Sequence, residues 1–127
     1  MRMYSEKDVE ELRFDAAYFA LDCPDEFFSW EASELARVCN GVGPGRWHKF
    51  ARWILTQLAG EYAVIAAIHD LQHELALQGN RECAKIFLHN ALKIHAATYG
   101  SIVEKLFIYL AFGALKFFGG KYWRKKV

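Results

Sequence analysis

Apolar residues recur every three or four positions along most of this chain of 127 residues, and that spacing limits the folds it can adopt. The spacing is typical of α-helices that bury one side, because about 3.6 residues make one turn. No segment shows the sustained alternation of apolar and polar residues that marks a half-buried strand. The sequence therefore predicts an all-α fold, a five- or six-helix bundle formed by one domain over residues 1–127.

Helix-breaking residues divide this pattern into six segments. Ser5 can cap the first helix, whose apolar side reaches Ala20 and which ends at Cys23-Pro24-Asp25. The later helices are predicted over residues 30–38, 47–60, 61–77, 82–97 and 102–118. Residues 1–37 then hold the N-terminal helices, residues 38–118 form the core, and residues 119–127 form a basic tail.

The composition sets the broad class of the protein. An apolar fraction of 54% with 24% charged residues fits a globular chain. A formal net charge of +1 argues against nucleic acid as a partner. Three cysteines, Cys23, Cys39 and Cys83, cannot all pair with one another. We expect reduced thiols in a cytosolic setting, with one bridge left open as an alternative.

The last helix and the tail bear on membranes. Residues 106–115 are the most apolar stretch, but ten residues are about half of what a bilayer-spanning helix needs. The bulky apolar residues of this helix are expected mainly to build core, and any that stay exposed beside Trp123 and the basic tail would form an interfacial surface. These bulky residues are Phe107, Tyr109, Leu110, Phe112, Phe117 and Phe118. The tail carries Lys121, Arg124, Lys125 and Lys126, which are either solvated or in contact with an anionic membrane or partner.

The stretch AAIHDLQHE, residues 66–74, concentrates titratable groups on one helix. His69 and His73 are four residues apart and therefore lie on the same face of the helix. Asp70 and Glu74 are also four residues apart and lie on the neighbouring face, one residue further round. Apolar residues precede the histidines on their side: Tyr62, Ile65 and Ala66. We therefore expect both imidazoles to face the interior or a groove, as the centre of a functional site.

Three kinds of chemistry suit this helix. In the first, His69 is a general base that deprotonates water, and Asp70 holds a calcium ion that polarises an ester carbonyl. The segment Asn40-Gly-Val-Gly-Pro-Gly45 suits that ion, because calcium readily uses main-chain oxygens and glycine leaves them accessible.

In the second, less favoured chemistry, His69 and His73 bind zinc. The sequence does not identify a third zinc ligand. Three other histidines could supply it only if the fold brings one of them close to this pair: His48, His89 and His95. In the third, both histidines of the pair are structural core residues.

Four motifs, CNGVGPG, AAIHDLQH, CAKIFLHNALKI and YLAFGALKFFGGKYW, follow one another between about Val38 and Trp123. In this order they resemble an uncharacterised family that is frequent in bacteriophages and prophages and is related to phospholipase A2. Members of that family typically read Cys-Asn-Gly-x-Gly, Ile-His-Asp-x-x-Tyr, Ala-Asp-x-x-Phe-Leu-x-Asn and a closing Phe-Gly-Gly.

The resemblance implies a phospholipase A2-like helical fold with the glycine-rich loop packed against the His-Asp helix. It implies that His69 activates water against a phospholipid ester and that Asp70 binds calcium. Loop oxygens would complete the calcium site at Asn40, Gly41 and Gly43. The partners implied are a phospholipid membrane surface and phage proteins. No signal peptide or transmembrane helix is evident, so we expect the protein in the host cytoplasm or the virion.

The chain departs from the family at two positions. His73, the third candidate catalytic residue, replaces the family's tyrosine, and Ala84 replaces the aspartate that precedes Phe87. In active enzymes of the wider group such residues orient the catalytic imidazole, and losing that orientation lowers the rate. Glu82 lies about 200° round the helix and cannot simply substitute. The alternative function is therefore a catalytically inactive phage structural or accessory protein that uses the same scaffold for protein or membrane binding.

Overall fold

The computed structural model describes residues 5–39, 60–75 and 79–118. These ranges hold six α-helices and no strand, and the all-α prediction is confirmed. The helices are α1 (Glu6–Tyr18), α2 (Glu26–Ser29), α3 (Ala32–Cys39), α4 (Ala63–Leu75, after a 3-10 turn at Gly60–Tyr62), α5 (Asn80–Ala97) and α6 (Ile102–Phe118).

Serine caps two of these helices, and the cap of the first by Ser5 was predicted. The Ser5 side chain accepts a hydrogen bond from the Asp8 amide at 3.2 Å, and the Asp8 carboxylate accepts one from the Ser5 amide at 2.8 Å. This reciprocal pair satisfies two amides at the start of α1 that lack partners within the helix. At the start of α6, the Ser101 side chain accepts from the Glu104 amide at 3.1 Å.

The end of α1 differs from the sequence prediction. The helix stops at Tyr18, and Ala20 adopts a left-handed conformation with φ of 52°. The Leu21 amide then donates to the Ala16 carbonyl at 2.9 Å, the arrangement by which helices commonly terminate. The apolar side of the first helix therefore does not include Ala20, because the chain has already turned there.

Helix α4 occupies the centre of the described structure. Its residues from Val64 to His73 are all buried, and α1, α3 and α5 each pack against it. Each neighbour contributes a small apolar face to this core. The main contributors are Val9, Leu12 and Ala16 from α1, Leu35 and Val38 from α3, and Ala84, Phe87, Ala91 and Ile94 from α5. A helix buried over ten consecutive residues places any polar side chain it carries inside the protein.

Two polar side chains form hydrogen bonds to the segment between α1 and α3. This segment contains α2, which was not predicted. Arg13 of α1 donates to the carbonyl of Phe27 at 2.9 Å and also to that of Trp30. Asn90 of α5 pairs with the backbone of Asp22, accepting from its amide and donating to its carbonyl, both at 2.8 Å. These bonds connect a stretch of little regular structure to two long helices.

Helix α6 corrects the prediction for the aromatic residues. It packs mainly against α5 through Ile108, Ala111, Ala114 and Leu115, which are buried. Tyr109, Leu110 and Phe117 were expected in the core but lie on the opposite, exposed side. Periodicity cannot choose the buried side of a helix that is apolar all round. Among the described helices, none is both long enough and apolar enough to cross a bilayer.

Candidate active site

The structure buries all three side chains proposed as catalytic on α4. His69 and Asp70 are each 2% exposed and His73 is 7% exposed, on a helix whose other residues there are mostly apolar. Tyr62, Ile65 and Ala66 are buried beside them, as the sequence predicted. The expectation that the imidazoles face the interior is confirmed.

The two histidines lie against each other and against α5. The ring centroids of His69 and His73 are 4.4 Å apart, with the planes inclined at 47°. The rings of His69 and Phe87 pack edge to face. Their centroids are 5.9 Å apart, and their planes are inclined at 80°. These contacts define the position of the His69 ring within the core.

Burying three titratable groups next to one another carries an energetic cost. Moving a polar group from water into an apolar interior disfavours folding by about 1–3 kcal/mol unless a hydrogen bond replaces the lost water. An apolar side chain at any of these positions would avoid that cost. Groups of this kind that cluster in an interior are more frequent at functional sites than elsewhere, although structural networks also use them.

The side of α5 that meets His69 is apolar. Ala84 is fully buried one turn before Phe87 and stands where the resembling family has its orienting aspartate. Glu82 is exposed and forms an ion pair with Lys85 at 3.2 Å, so it lies at the surface and not beside the buried His69. The contact that the structure shows between His69 and α5 is the packing of its ring against Phe87.

The end of α3 lies beside the helix that carries the His-Asp pair. The Cys39 thiol is 3.7 Å from the carbonyl oxygen of Ala67, a buried contact that joins α3 to α4. At 100° per residue, Asp70 lies about 60° round α4 from Ala67, and His69 lies about 160° round in the same direction. Asp70 therefore stands between the α3 side of the helix and the histidine side.

The predicted calcium ligands divide between described and undescribed residues. Asp70 is placed as above. Asn40, Gly41 and Gly43 themselves lie outside the described residues, as do His48 and the predicted helix over residues 47–60. The loop prediction stays a prediction.

The histidines suggested as third zinc ligands do not join the pair within the described ranges. His89 is exposed on α5, and the Nε2 atom of His95 lies 2.8 Å from the carbonyl oxygen of Ser101. No cluster of three or more His, Cys, Asp or Glu side chains suited to a metal occurs among the residues that the structure describes. A zinc site of three protein ligands is therefore not assembled there.

Cys23, Cys39 and Cys83 form no disulfide with one another. Burial raises the pKa of Cys83 to about 11, and burial together with Asp22 and Asp25 raises the pKa of Cys23 to about 11. At neutral pH both thiols are therefore protonated. A protonated thiol is a weak nucleophile, so these two cysteines are poor candidates for covalent catalysis.

Two features around the site were not predicted. Phe87 was part of a quoted motif, but its contact with His69 depends on how α4 and α5 pack. Gln72 is 2% exposed, and its position one turn after His69 was the signal that could have identified it. Phe87 extends the candidate site onto α5, and Gln72 adds a buried polar side chain on α4.

Comparison with protein-family models, with curated proteins and with solved structures gives no match to this chain.

Proposed function

We propose that this protein is a small calcium-dependent hydrolase of phospholipid esters, similar to phospholipase A2, with its site centred on His69 and Asp70. The observation that carries the proposal is the contact of Cys39 with Ala67. It brings the end of α3, which the segment Asn40–Gly45 follows in the sequence, to the side of α4 next to Asp70. A calcium site would need main-chain oxygens of that segment close to the carboxylate.

In this mechanism His69 takes a proton from water, and the water oxygen attacks the ester carbonyl carbon. The bond from that carbon to the alcohol oxygen breaks, His69 returns the proton to the alcohol, and a fatty acid and a lysophospholipid leave. Asp70, with main-chain oxygens of Asn40, Gly41 and Gly43, would hold the ion. Bound calcium would supply the positive charge that stabilises the negative carbonyl oxygen of the transition state.

The donor chemistry of the described residues fits calcium. Asp70 offers carboxylate oxygens, which are hard ligands, and the helix that carries it packs against α3, which a segment with three glycines follows in the sequence. The unmutated protein is expected to release fatty acid from mixed phosphatidylcholine and phosphatidylglycerol vesicles with calcium and not with a chelator. Equal release under both conditions, or none, would contradict the proposal.

Asp70→Asn tests the calcium role. The amide keeps the size of the side chain but removes the negative charge that attracts the ion, so half-maximal activity should require at least about ten times more calcium. Calcium titrations of the hydrolysis rate measure this shift. Glu74→Gln, one turn along α4 and half-buried, is the matched control and should leave the calcium requirement unchanged. An unshifted requirement in Asp70→Asn would remove Asp70 from the metal site.

We assign to His73 the role that tyrosine has in the resembling family, which is to orient the catalytic imidazole. The ring centroids of His73 and His69 are 4.4 Å apart. Replacing His73 by alanine removes this support, and kcat should fall by about tenfold to a hundredfold with little change in KM. His73→Tyr restores the residue type of the family and should retain most of the rate. Equal losses in both variants would mean that His73 acts through stability alone.

A second function is favoured by Ala84 and Phe87, which present an apolar surface where active enzymes have a carboxylate. In this alternative the chain is a catalytically inactive phage structural or accessory protein that uses the helical scaffold for binding. Co-purification with other virion or lysis proteins, unchanged by His69→Ala and without any calcium-dependent hydrolysis, would favour it. Either function places the protein in the host cytoplasm or the virion.

A further inference from the structure

Helix α6 carries apolar residues in two rows on different sides. One row is buried and packs against α5, and it consists of Ile108, Ala111 and Leu115. The other row, which we call the outer seam, has positions that are alternately three and four residues apart: Val103, Leu106, Leu110, Gly113 and Phe117. At 100° per residue, the two rows lie about 150° apart round the helix. Packing against α5 therefore leaves the outer seam uncovered.

The outer seam is exposed along its whole length. Val103 is 62% exposed, Leu106 is 59% exposed and Phe117 is 79% exposed. Leu110 is 39% exposed, and a Cβ atom built at Gly113 would have no neighbouring group within 4 Å. No charged residue falls on the seam. A continuous apolar row at a protein surface indicates contact with another molecule.

The spacing of the outer seam indicates that this other molecule is a helix. Apolar positions that are alternately three and four residues apart repeat every seven residues, the pattern by which two helices pack side by side over several turns. The seam keeps this repeat from Val103 to Phe117, which is two full heptads. A seam of this kind also fits a copy of itself, because each side chain can pack into a space between side chains of the other helix.

We infer that the outer seam is the interface of a symmetric homodimer in which the α6 helices of two copies pack antiparallel. A twofold axis is the commonest symmetry of homodimers, and it brings the same surface of both copies together. One antiparallel register places Leu106 opposite Leu110 of the second copy and Val103 opposite its Gly113. Val103 then fills the space that the missing side chain of Gly113 leaves. Phe117 lies opposite Tyr99, which is 94% exposed, so every seam position has a partner.

Two features of α6 favour the antiparallel over the parallel arrangement. In a parallel pair, Gly113 would face Gly113 of the other copy, and two missing side chains would leave a gap in the interface. A parallel pair would also bring Lys116 of both copies to the same end of the interface. The antiparallel arrangement places these two exposed ammonium groups at opposite ends, where they do not repel each other.

The area of this surface sets the expected strength of the dimer. Each apolar side chain of this kind removes roughly 60–120 Å² from water when it is fully buried. Since these side chains are only partly exposed, six of them contribute about 400–600 Å² on each copy: Ile102, Val103, Leu106, Tyr109, Leu110 and Phe117. Stable interfaces bury about 800 Å² on each partner, and smaller ones belong to weak, reversible complexes. We therefore expect a dimer that dissociates in the micromolar range.

The inference does not depend on the proposed function. Helix α6 packs mainly against α5, and α5 in turn packs against the helix that carries His69 and Asp70. The interface is therefore separated from the candidate active site by a helix. Association can be measured without any turnover, so a protein without hydrolytic activity could still form the dimer, and an active one could be a monomer.

Sedimentation equilibrium of the unmutated protein is the first measurement. The expected result is a reversible equilibrium between monomer and dimer, with a dissociation constant of about 1–100 µM. A protein that remains monomeric at concentrations of about 500 µM would overturn the inference.

Leu106→Glu with Leu110→Glu tests whether the outer seam forms the interface. The two positions face each other across the dimer, so four like charges would meet at its centre, and the dissociation constant should rise at least about a hundredfold. Phe14→Glu with Tyr18→Glu is the matched control, because these residues of α1 are also four apart, apolar and exposed. The control should dimerise like the parent, and equal dissociation constants in the two double variants would overturn the inference.

Circular dichroism separates loss of the interface from loss of the fold. It is recorded at about 0.5 µM, where the parent itself is expected to be monomeric. Because Leu106 and Leu110 are exposed in the monomer, the variant should keep the helix content of the parent at this concentration.

Cross-linking tests the antiparallel register. Copies with Val103→Cys are mixed with copies that carry Gly113→Cys, and a short bismaleimide is added. The register predicts cross-links between the two kinds of copy and none within either kind alone, because identical positions lie about 15 Å apart along the helix axis. The unmutated protein, with its own three cysteines, is the control. Cross-links only between identical variants would indicate parallel helices and overturn the antiparallel arrangement.

A different occupant of the outer seam has its own outcome in these experiments. A monomeric parent that binds phospholipid vesicles, with binding abolished by Leu106→Glu with Leu110→Glu, would assign the seam to a lipid surface and overturn the dimer.

Discussion

Replacing His69 by alanine is expected to lower calcium-dependent release of fatty acid by about 10²–10⁴-fold, since the variant lacks the general base. The loss should appear in kcat, because the imidazole acts on the water and not on the bound lipid. Rates are measured at saturating calcium on vesicles and on a short-chain phospholipid. Both substrates should show the same loss if His69 acts in the chemical step.

The control must separate chemistry from packing, because His69 also contacts His73 and Phe87 in the core. His69→Gln keeps a polar side chain of similar length and should be as inactive as His69→Ala while melting closer to the parent. His89→Ala, an exposed histidine on α5, should retain full activity. Activity in His69→Gln close to that of the parent would exclude His69 as the base.

Replacing Asn90 by alanine is expected to give the largest loss of stability among the substitutions considered. Asn90 is fully buried, and its amide makes two hydrogen bonds of 2.8 Å with the backbone of Asp22. The alanine variant loses both bonds and leaves an amide and a carbonyl of Asp22 without them. The free energy of unfolding should fall by about 2–4 kcal/mol, which corresponds to roughly 10 °C in melting temperature.

Chemical denaturation, followed at two wavelengths, measures this loss in the free energy of unfolding. The control is His89→Ala, which changes the exposed neighbour on the same helix. Exposed substitutions of that kind usually change stability by no more than about 0.5 kcal/mol. If Asn90→Ala and His89→Ala unfold at the same denaturant concentration, the connection between α1 and α3 is not held by Asn90. Hydrogen exchange should then be unchanged at Asp22 as well.

The long helices could be predicted from the sequence because their apolar residues follow the helical period over several turns. The bounds of α6 agree with the prediction, and α5 begins at Asn80, two residues earlier than expected. The four-residue α2 is too short for periodicity to reveal. Its position depends on Arg13, whose long-range bonds to the carbonyls of Phe27 and Trp30 carry no local sequence signal.

The composition of the candidate site was partly predictable in the same way. The i, i+4 spacing of His69 and His73 places both rings on one face, and their burial and mutual contact are confirmed. The contact with Phe87 and the approach of Cys39 to Ala67 depend on how three helices pack, which spacing within one helix does not specify. The sequence did not decide which residues of α6 are exposed for a related reason, since both sides of this helix are apolar.

The most direct test of the central claim is a crystal structure of the protein grown with calcium. The predicted result is an ion about 2.3–2.6 Å from a carboxylate oxygen of Asp70 and from main-chain oxygens of the segment Asn40–Gly45, with the His69 ring beside it. A calcium-saturated crystal with no ion at Asp70, or with Asn40–Gly45 on the side of α4 opposite to Asp70, would contradict the account.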